Sequence, residues 1–287
     1  MSGQEDANLV ADEGVSKQAV EHLRALLGEY PQYPAVALLR CWELALFSQL
    51  DFEGPTLDLG CGDGRIAERL LGTGVGRSRE PVFGLDIDAG SVAQAAQRSI
   101  YAGVVRADAR AMPLPDACLQ SVFSICVLEH IPQVDKVLSE VARVLRPGAM
   151  FAFSVPTPRL EAVGAEVHPR HAEEYLAAQR QRLEHVNLWP LDRWEEALWR
   201  QGLVVRRVHG FMPEAAARAW WAAYDWTVRP IRGRGVLYRA AGPELRRFGL
   251  GRLLAGYWYR RLARWAGEGL QASPEHAGAL LIVAQRP

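Results

Sequence analysis

The residues of this 287-residue sequence whose types and spacing could do chemistry are four aspartates and a run of glycines. Asp58 and Asp63 flank the glycines of Leu57-Asp58-Leu59-Gly60-Cys61-Gly62-Asp63-Gly64, a glycine-rich turn between a short apolar strand and a helix. Such a turn presents backbone N–H groups to an anion. Two carboxylates beside it repel a phosphate and welcome a cation. The dinucleotide pattern G-x-G-x-x-G is also missed, because Gly60, Gly62 and Gly64 are spaced by two and Arg65 stands where the third glycine would fall.

Two further acids sit at comparable places. Asp86 ends the next strand, where a carboxylate can accept both hydroxyls of a ribose. Its neighbour Asp88 is the expected cap of the following helix. Asp108 ends the third strand, suited to an adenine amino group. Three successive strands ending in acids describe a nucleoside ligand with a cationic, phosphate-free tail. S-adenosylmethionine fits that description, with its α-ammonium and sulfonium. A methyl transfer from it runs largely on positioning and desolvation. A general base is needed only for a hydroxyl or an acidic carbon. The base candidates are His130, just past the fourth strand, and His168. His171, Tyr175 and His185 are candidates for contact with the acceptor. Against these roles, the Glu129-His130 pair can equally cap the next helix, and histidines in a polar loop are usually only solvated.

The elements that must position these groups follow from apolar periodicity. Residues 1–15 read as a polar, acidic tail. Ser16 is the expected cap of a first helix reaching about Tyr30, and a second apolar helix spans 35–50. Strands are expected at 56–59, 82–87, 104–107, 121–128 and 149–155, with helices at 65–71, 91–101 and 134–145 between them. Short apolar strands alternating with helices imply a parallel sheet covered on both faces. Residues 157–189 form a polar, histidine-bearing insertion. A helix over 191–200 and a strand over 203–208 restore the rhythm. Residues 212–276 then interrupt it, before the apolar "ALLIVA" of 279–284 closes the chain.

Composition narrows the classes. Net charge is zero, so no global field favours nucleic acid. The four cysteines lack C-x-x-C spacing, which argues against a metal site or a disulfide framework and for a reducing, cytoplasmic setting. No run approaches the roughly 20 apolar residues of a membrane span. Lys17 and Lys136 are the only lysines; the other basic residues are arginines concentrated in the last third, and eight of the nine tryptophans lie after Leu188. Three readings of that insertion stay open. Its aromatics, among them Trp220, Trp221 and Tyr224, pack a helical cap over the sheet. They line an apolar pocket for a hydrophobic acceptor. Or, with the arginines, they meet a membrane surface peripherally. DNA is not an expected partner, and RNA is the weakest reading because no nucleic-acid module is recognisable.

The motifs "LDLGCGDG" (57–64), "GLDID" (84–88), "ADARAMPLPDA" (107–117), "FSICVLEHI" (123–131) and "EVARVLRPGAMFAFSVP" (140–156) follow one another in a familiar order. Together they resemble the class I S-adenosylmethionine-dependent methyltransferases, in the small-molecule "type 11" branch of the ubiquinone/menaquinone enzymes. The resemblance implies a Rossmann-like α/β sheet of seven strands, the last antiparallel and inserted beside the fifth. It implies that Asp58, Gly60, Gly62 and Gly64 meet the methionine part of the cofactor, Asp86 and Ile87 the ribose, and Asp108 and Ala109 the adenine. Cys126 and Val127 would line the sulfonium side. Two departures bear on the acceptor. About 65 residues intervene where the family has a tight hairpin between its sixth and seventh strands. The fourth strand also lacks the Asn/Asp-Pro-Pro-aromatic turn of enzymes that methylate planar nitrogens.

The expectation is therefore an N-terminal segment (1–50), a methyltransferase core (51–211 and 277–287) and a helical lid (212–276). The expected activity is methyl transfer to a hydrophobic or aromatic small molecule. The competing classes are an NAD-dependent oxidoreductase on a related sheet and a catalytically silent binding protein of the same fold.

Overall fold

The computed structural model describes residues 12–72, 81–228 and 250–287. Two helices precede the sheet. Helix α1 (Glu13–Glu29) starts earlier than expected because Asp12, not Ser16, is its cap: the Asp12 carboxylate accepts the Val15 N–H at 2.8 Å. Ser16 instead donates to the Gly267 carbonyl at 3.1 Å. The expected tail thus ends by residue 12, and its first eleven residues lie outside the described ones. Helix α2 (Pro34–Phe47) is apolar nearly all round, as a helix packed on every side must be.

The seven strands β1 (Thr56–Leu59), β2 (Val82–Asp86), β3 (Tyr101–Arg106), β4 (Leu119–Ile125), β5 (Leu145–Pro156), β6 (Val204–Phe211) and β7 (Ala279–Gln285) form one sheet in the order β3-β2-β1-β4-β5-β7-β6. The first five run parallel, and β7 lies antiparallel between β5 and β6. Residues of β7 alternate faces: Leu281 and Val283 enter one core while Leu280, Ile282 and Ala284 enter the other. That explains why "ALLIVA" carries no polar alternation. The strand order reverses between β1 and β4, and the crevice at such a switch point is where open α/β sheets bind ligands.

Helices α3 (Arg65–Gly72), α4 (Ala89–Ala95) and α5 (Val134–Val144) connect the parallel strands. Helix α4 stops well short of the expected 101, and β3 starts three residues early, because Tyr101 pairs with Val82 as a strand residue. Strand β4 ends at Ile125 rather than 128. Cys126 takes a left-handed conformation (φ 50°) that no strand residue can hold, and a single 3-10 turn follows over Leu128–His130.

The segment 157–189 is not a loop. Thr157 caps α6 (Pro158–Val167), and α7 (Ala172–Leu183) follows. After α8 (Leu191–Arg200) and β6, the second insertion contributes α9 (Glu214–Val228) and α10 (Leu250–Glu268). Helix α10 packs on α1 and α2. The Trp42 indole donates to the Trp265 and Ala266 carbonyls, both at 3.1 Å, and a Cβ on Gly269 would come within 2.4 Å of that ring. N-terminal segment and second insertion are therefore one packed layer on one face of the sheet. Several of the arginines there have local partners. Arg159 and Arg218 share Glu166 and Glu214, and Arg264 pairs with Glu268. No helix among the described residues is long and apolar enough to cross a membrane.

Candidate functional site

The glycine turn after β1 is tied down from both sides. The Gly60 and Cys61 N–H groups donate to the Leu85 carbonyl, at 2.8 and 3.0 Å. The Gly62 N–H donates to the Asp86 carboxylate at 2.8 Å, and the other Asp86 oxygen accepts the Asp88 N–H at 2.9 Å. Asp88 itself caps α4, accepting the Ser91 N–H at 2.7 Å. Gly60 has φ 78°, and a Cβ there would sit 2.5 Å from both methyls of Val127. That close approach, and not only the turn, requires glycine.

At the carboxyl ends of β1, β2 and β4 lies a cavity of about 310 Å³. Gly60, Asp86, Ile87, Asp108, Ala109 and Val127 line it, with Cys126 and His130. Of the ten residues expected to hold the cofactor, seven are thus brought together. Asp58, Gly62 and Gly64 stand behind this wall. Asp58 is buried and accepts a hydrogen bond from the Tyr101 hydroxyl at 2.6 Å. Burial, with a smaller push from Asp86, raises its pKa to about 7. Asp63 does not line the cavity: its carboxylate accepts the Arg65 N–H and pairs with the Arg65 guanidinium at 3.0 Å. Asp108 is gripped by Arg110 (Nη2–Oδ2 2.6 Å), whose hydrogen bonds hold its carboxyl below the usual range. Arg110 lines the cavity too, and no sequence signal singled it out.

Behind Cys126 a second cavity, of about 200 Å³, opens. Cys126 and His130 belong to both walls. Its apolar lining comes from the N-terminal half of α2 (Val36, Leu39), from Leu160 and Leu183, and from Trp220 and Tyr224, whose rings stack 5.2 Å apart. Its polar wall is Arg40, Glu129, His130 and His185. Just beneath, buried Glu43 accepts from the Arg40 guanidinium (2.7 Å), the Ser154 hydroxyl (2.6 Å) and the Cys126 thiol (2.9 Å). Burial and the two neighbouring carboxylates push the Cys126 thiol far up, so it is a packed group and not a nucleophile.

Glu129 is buried and its Oε2 has no hydrogen-bond partner. Burial lifts its pKa to about 8. The His130 Nδ1 lies 3.2 Å from the Glu184 carbonyl, which can only accept, so Nδ1 carries the ring proton and Nε2 is bare. Burial lowers the His130 pKa, and burial together with His130 lowers that of His185 to about 4, leaving both rings neutral near pH 7.

The other sequence candidates gather elsewhere. The His168 Nε2 and the Tyr175 hydroxyl both bond Asp225, at 2.8 and 2.5 Å, and together with His171 they line a separate recess between α7, α9 and α10. Neither His168, His171 nor Tyr175 lines the 310 Å³ cavity or the 200 Å³ cavity. Trp221 is buried against Tyr175 and α6, donating to the Leu160 carbonyl at 2.8 Å. Glu43 and Arg40 went unread, and Glu129 was read only as part of a helix-capping pair. Glu43 did leave a trace, as the lone acid, three residues after Arg40, in the largely apolar "ALLRCWELALF".

Residues 57–153 match the family described as methyltransferase domain. A fatty-acid O-methyltransferase of Mycolicibacterium smegmatis is 35% identical over 118 residues, covering 40% of this chain and 42% of its own. A ubiquinone/menaquinone biosynthesis C-methyltransferase of Acidiphilium cryptum is 35% identical over 116 residues, covering 38% of this chain and 45% of its own. The chain thus spans less than half the length of these curated relatives. A Galdieria sulphuraria structure assigned as a sarcosine dimethylglycine methyltransferase shares the fold at a TM-score of 0.53, with 15% identity, over 98% of this chain and 94% of that one.

Proposed function

We propose that this chain, whose residues 57–153 carry a class I S-adenosylmethionine-dependent methyltransferase domain, methylates a hydrophobic small molecule seated in the 200 Å³ cavity behind Cys126. The observation that carries the reading is the shared wall: Cys126 and His130 line both that cavity and the larger one at the strand ends. A donor in one and an acceptor in the other would meet there.

The residues of the larger cavity fit the cofactor. Gly60 leaves the room that a Cβ would fill, and Asp86 and Asp108 stand at the ends of neighbouring strands. Asp86 would hold the ribose, Asp108 and Ala109 the adenine, and Val127 and Cys126 the sulfonium side. When bound, S-adenosylmethionine supplies an electrophilic methyl group. The protein's part is to orient and desolvate. Stacked Trp220 and Tyr224, with Leu160 and Leu183, exclude water from the acceptor and strengthen every electrostatic contact inside. The unpaired Glu129 Oε2 and the bare His130 Nε2 are left to hydrogen-bond a polar atom of the substrate, and a proton leaving that atom has the bare Nε2 beside it.

The two matched relatives are named for a fatty acid and for quinone biosynthesis, and an apolar cavity with one polar wall suits an acceptor of that character. The test has two parts. Calorimetry should show S-adenosylhomocysteine binding and no NAD binding; the reverse outcome overturns the reading in favour of an oxidoreductase. Labelled methyl transfer from S-adenosylmethionine to long-chain acids, phenols and quinols should then reveal an acceptor. Trp220→Ala should shift acceptor KM while S-adenosylhomocysteine affinity stays within about twofold, because Trp220 touches only the acceptor cavity. A loss of cofactor affinity in that variant would show that the two cavities are not separate sites.

A further inference from the structure

Beside Arg40, the polar wall of the acceptor cavity is built from two segments more than fifty residues apart, and they are stitched together. The Val186 and Asn187 N–H groups both donate to the Glu129 carbonyl, at 2.8 and 3.0 Å. The Asn187 side chain donates to the Leu128 and Ile131 carbonyls, at 2.8 and 2.7 Å. These bonds fix the 3-10 turn against the segment after α7, where Glu184 takes a left-handed conformation (φ 53°) and turns the chain back. The result brings one donor atom each of Glu129, His130 and His185 within 4.8 Å of one another.

These three groups lack something between them. The His130 Nε2 is bare and lies 3.7 Å from the Glu129 Oε1, so two lone pairs face each other with no proton from the ring. The second Glu129 oxygen is buried and unpartnered. Arg40, the cation that acts on Glu129, is already paired with Glu43 at 2.7 Å. A buried carboxyl group keeps its proton unless it is paired or coordinates a cation. The remaining feature is the one that metal-binding histidines share: the Nδ1–H of His130 is donated to a backbone carbonyl, which fixes the tautomer and aims Nε2 inward.

We propose that Glu129, His130 and His185 bind a first-row divalent transition-metal ion at the wall between the two cavities. Two imidazoles and one carboxylate suit Zn²⁺, Fe²⁺, Co²⁺ or Mn²⁺, whereas Mg²⁺ and Ca²⁺ want oxygen. Ligands about 2.1 Å from an ion lie about 3.0–3.4 Å apart, so the present spacings close with small side-chain rotations. Three protein ligands leave open positions, the arrangement of a site that takes a substrate oxygen. The cation site stands on its own geometry. Its use in seating a hydroxyl, phenol or carboxylate acceptor rests on the methyl-transfer reading.

The test uses the full-length protein stripped with a chelator, exchanged into metal-free buffer and titrated with Co²⁺ alone. The expected result is one equivalent bound per chain, with the visible absorption of nitrogen-ligated Co²⁺ and competition by Zn²⁺. His185→Ala and Glu129→Gln should each weaken binding at least about tenfold, the scale of losing one ligand from such a site. His276→Ala, a histidine in the loop before β7 that bonds Ser273, should leave it unchanged. Far-UV circular dichroism and S-adenosylhomocysteine titration of every variant separate the outcomes. Absence of stoichiometric Co²⁺ binding, or equal binding by wild type, His185→Ala and Glu129→Gln, overturns the site. Failure of S-adenosylhomocysteine to bind overturns the methyltransferase reading and leaves the metal result standing.

Discussion

The glycines at 60 and 62 offer a matched perturbation, because both have positive φ and both precede the same helix, yet only one is crowded. Gly62 has φ 53° and open space where a Cβ would go. Gly60 has φ 78°, and its Cβ would lie 2.5 Å from both Val127 methyls and 3.0 Å from the Val127 Cβ. Alanine in the left-handed region costs about 1–2 kcal/mol at either position. For a chain of this size that is a fall in melting temperature of about 2–8 °C. Gly62→Ala should show that loss alone and bind S-adenosylhomocysteine nearly as wild type does. Gly60→Ala should add about 1–3 kcal/mol of overpacking. The added methyl has nowhere to go but into Val127, and Val127 cannot retreat without moving Cys126, already held at φ 50°. Cys126 and Val127 are wall residues of the cofactor cavity, so affinity should fall at least about tenfold, or ~1.4 kcal/mol. The decisive sample is Gly60→Ala combined with Val127→Ala. If the clash is the cause, removing the Val127 methyls restores part of the lost stability and affinity, with a coupling of about 1 kcal/mol or more. Calorimetric titration and thermal melts of wild type, Gly62→Ala, Gly60→Ala, Val127→Ala and the double variant measure it. Equal affinity losses at the two glycines, or strict additivity in the double variant, would refute the argument from close approach.

Asp58→Asn tests the buried carboxylate behind the glycine turn. Its folded pKa of about 7 lies above the unfolded value of 3.8, so its contribution is most favourable below about pH 4 and is lost as pH rises through 7. Three pKa units are worth about 4 kcal/mol, and a buried amide lacking one partner gives back about 1–3 of them. The variant should therefore melt a few degrees higher than wild type at pH 8 and show no such gain at pH 4. Destabilisation of equal size at both pH values would show that Asp58 is not held at a desolvation cost. Asp86→Ala removes a carboxylate that holds the Gly62 and Asp88 N–H groups and lines the cofactor cavity. S-adenosylhomocysteine affinity should drop at least about tenfold, the scale of a lost charge-assisted hydrogen bond; unchanged affinity would remove Asp86 from the site.

The strand ends were legible along the chain. The apolar runs of β1, β2 and β4, the acids that close β2 and β3, and the two-sided burial of β7 are local consequences of side-chain type and period, and a parallel sheet of such strands places its ligand crevice by topology. Local propensity misplaced boundaries where a distant partner decided them. Tyr101 leaves its expected helix because its backbone pairs with β2 and its hydroxyl meets Asp58. Residues 158–183 fold as helices because α6 and α7 pack against each other and α6 against α9.

The sequence by itself determined the residues proposed for the cofactor side: the glycines, Asp86 and Asp108 lie within about fifty residues, on consecutive strand ends whose spacing a βα repeat dictates. Only the tertiary structure decided the cavity proposed for the acceptor. The wall that joins Val36 and Leu39 of α2, Glu129 after β4, His185 after α7 and Trp220 of α9 has no period and no motif. Its members meet because two insertions and the N-terminal helices share one apolar layer, and a contact made by packing leaves no spacing in the chain to read. The same physics placed His168 with Asp225 and Tyr175, away from His130, the other candidate base.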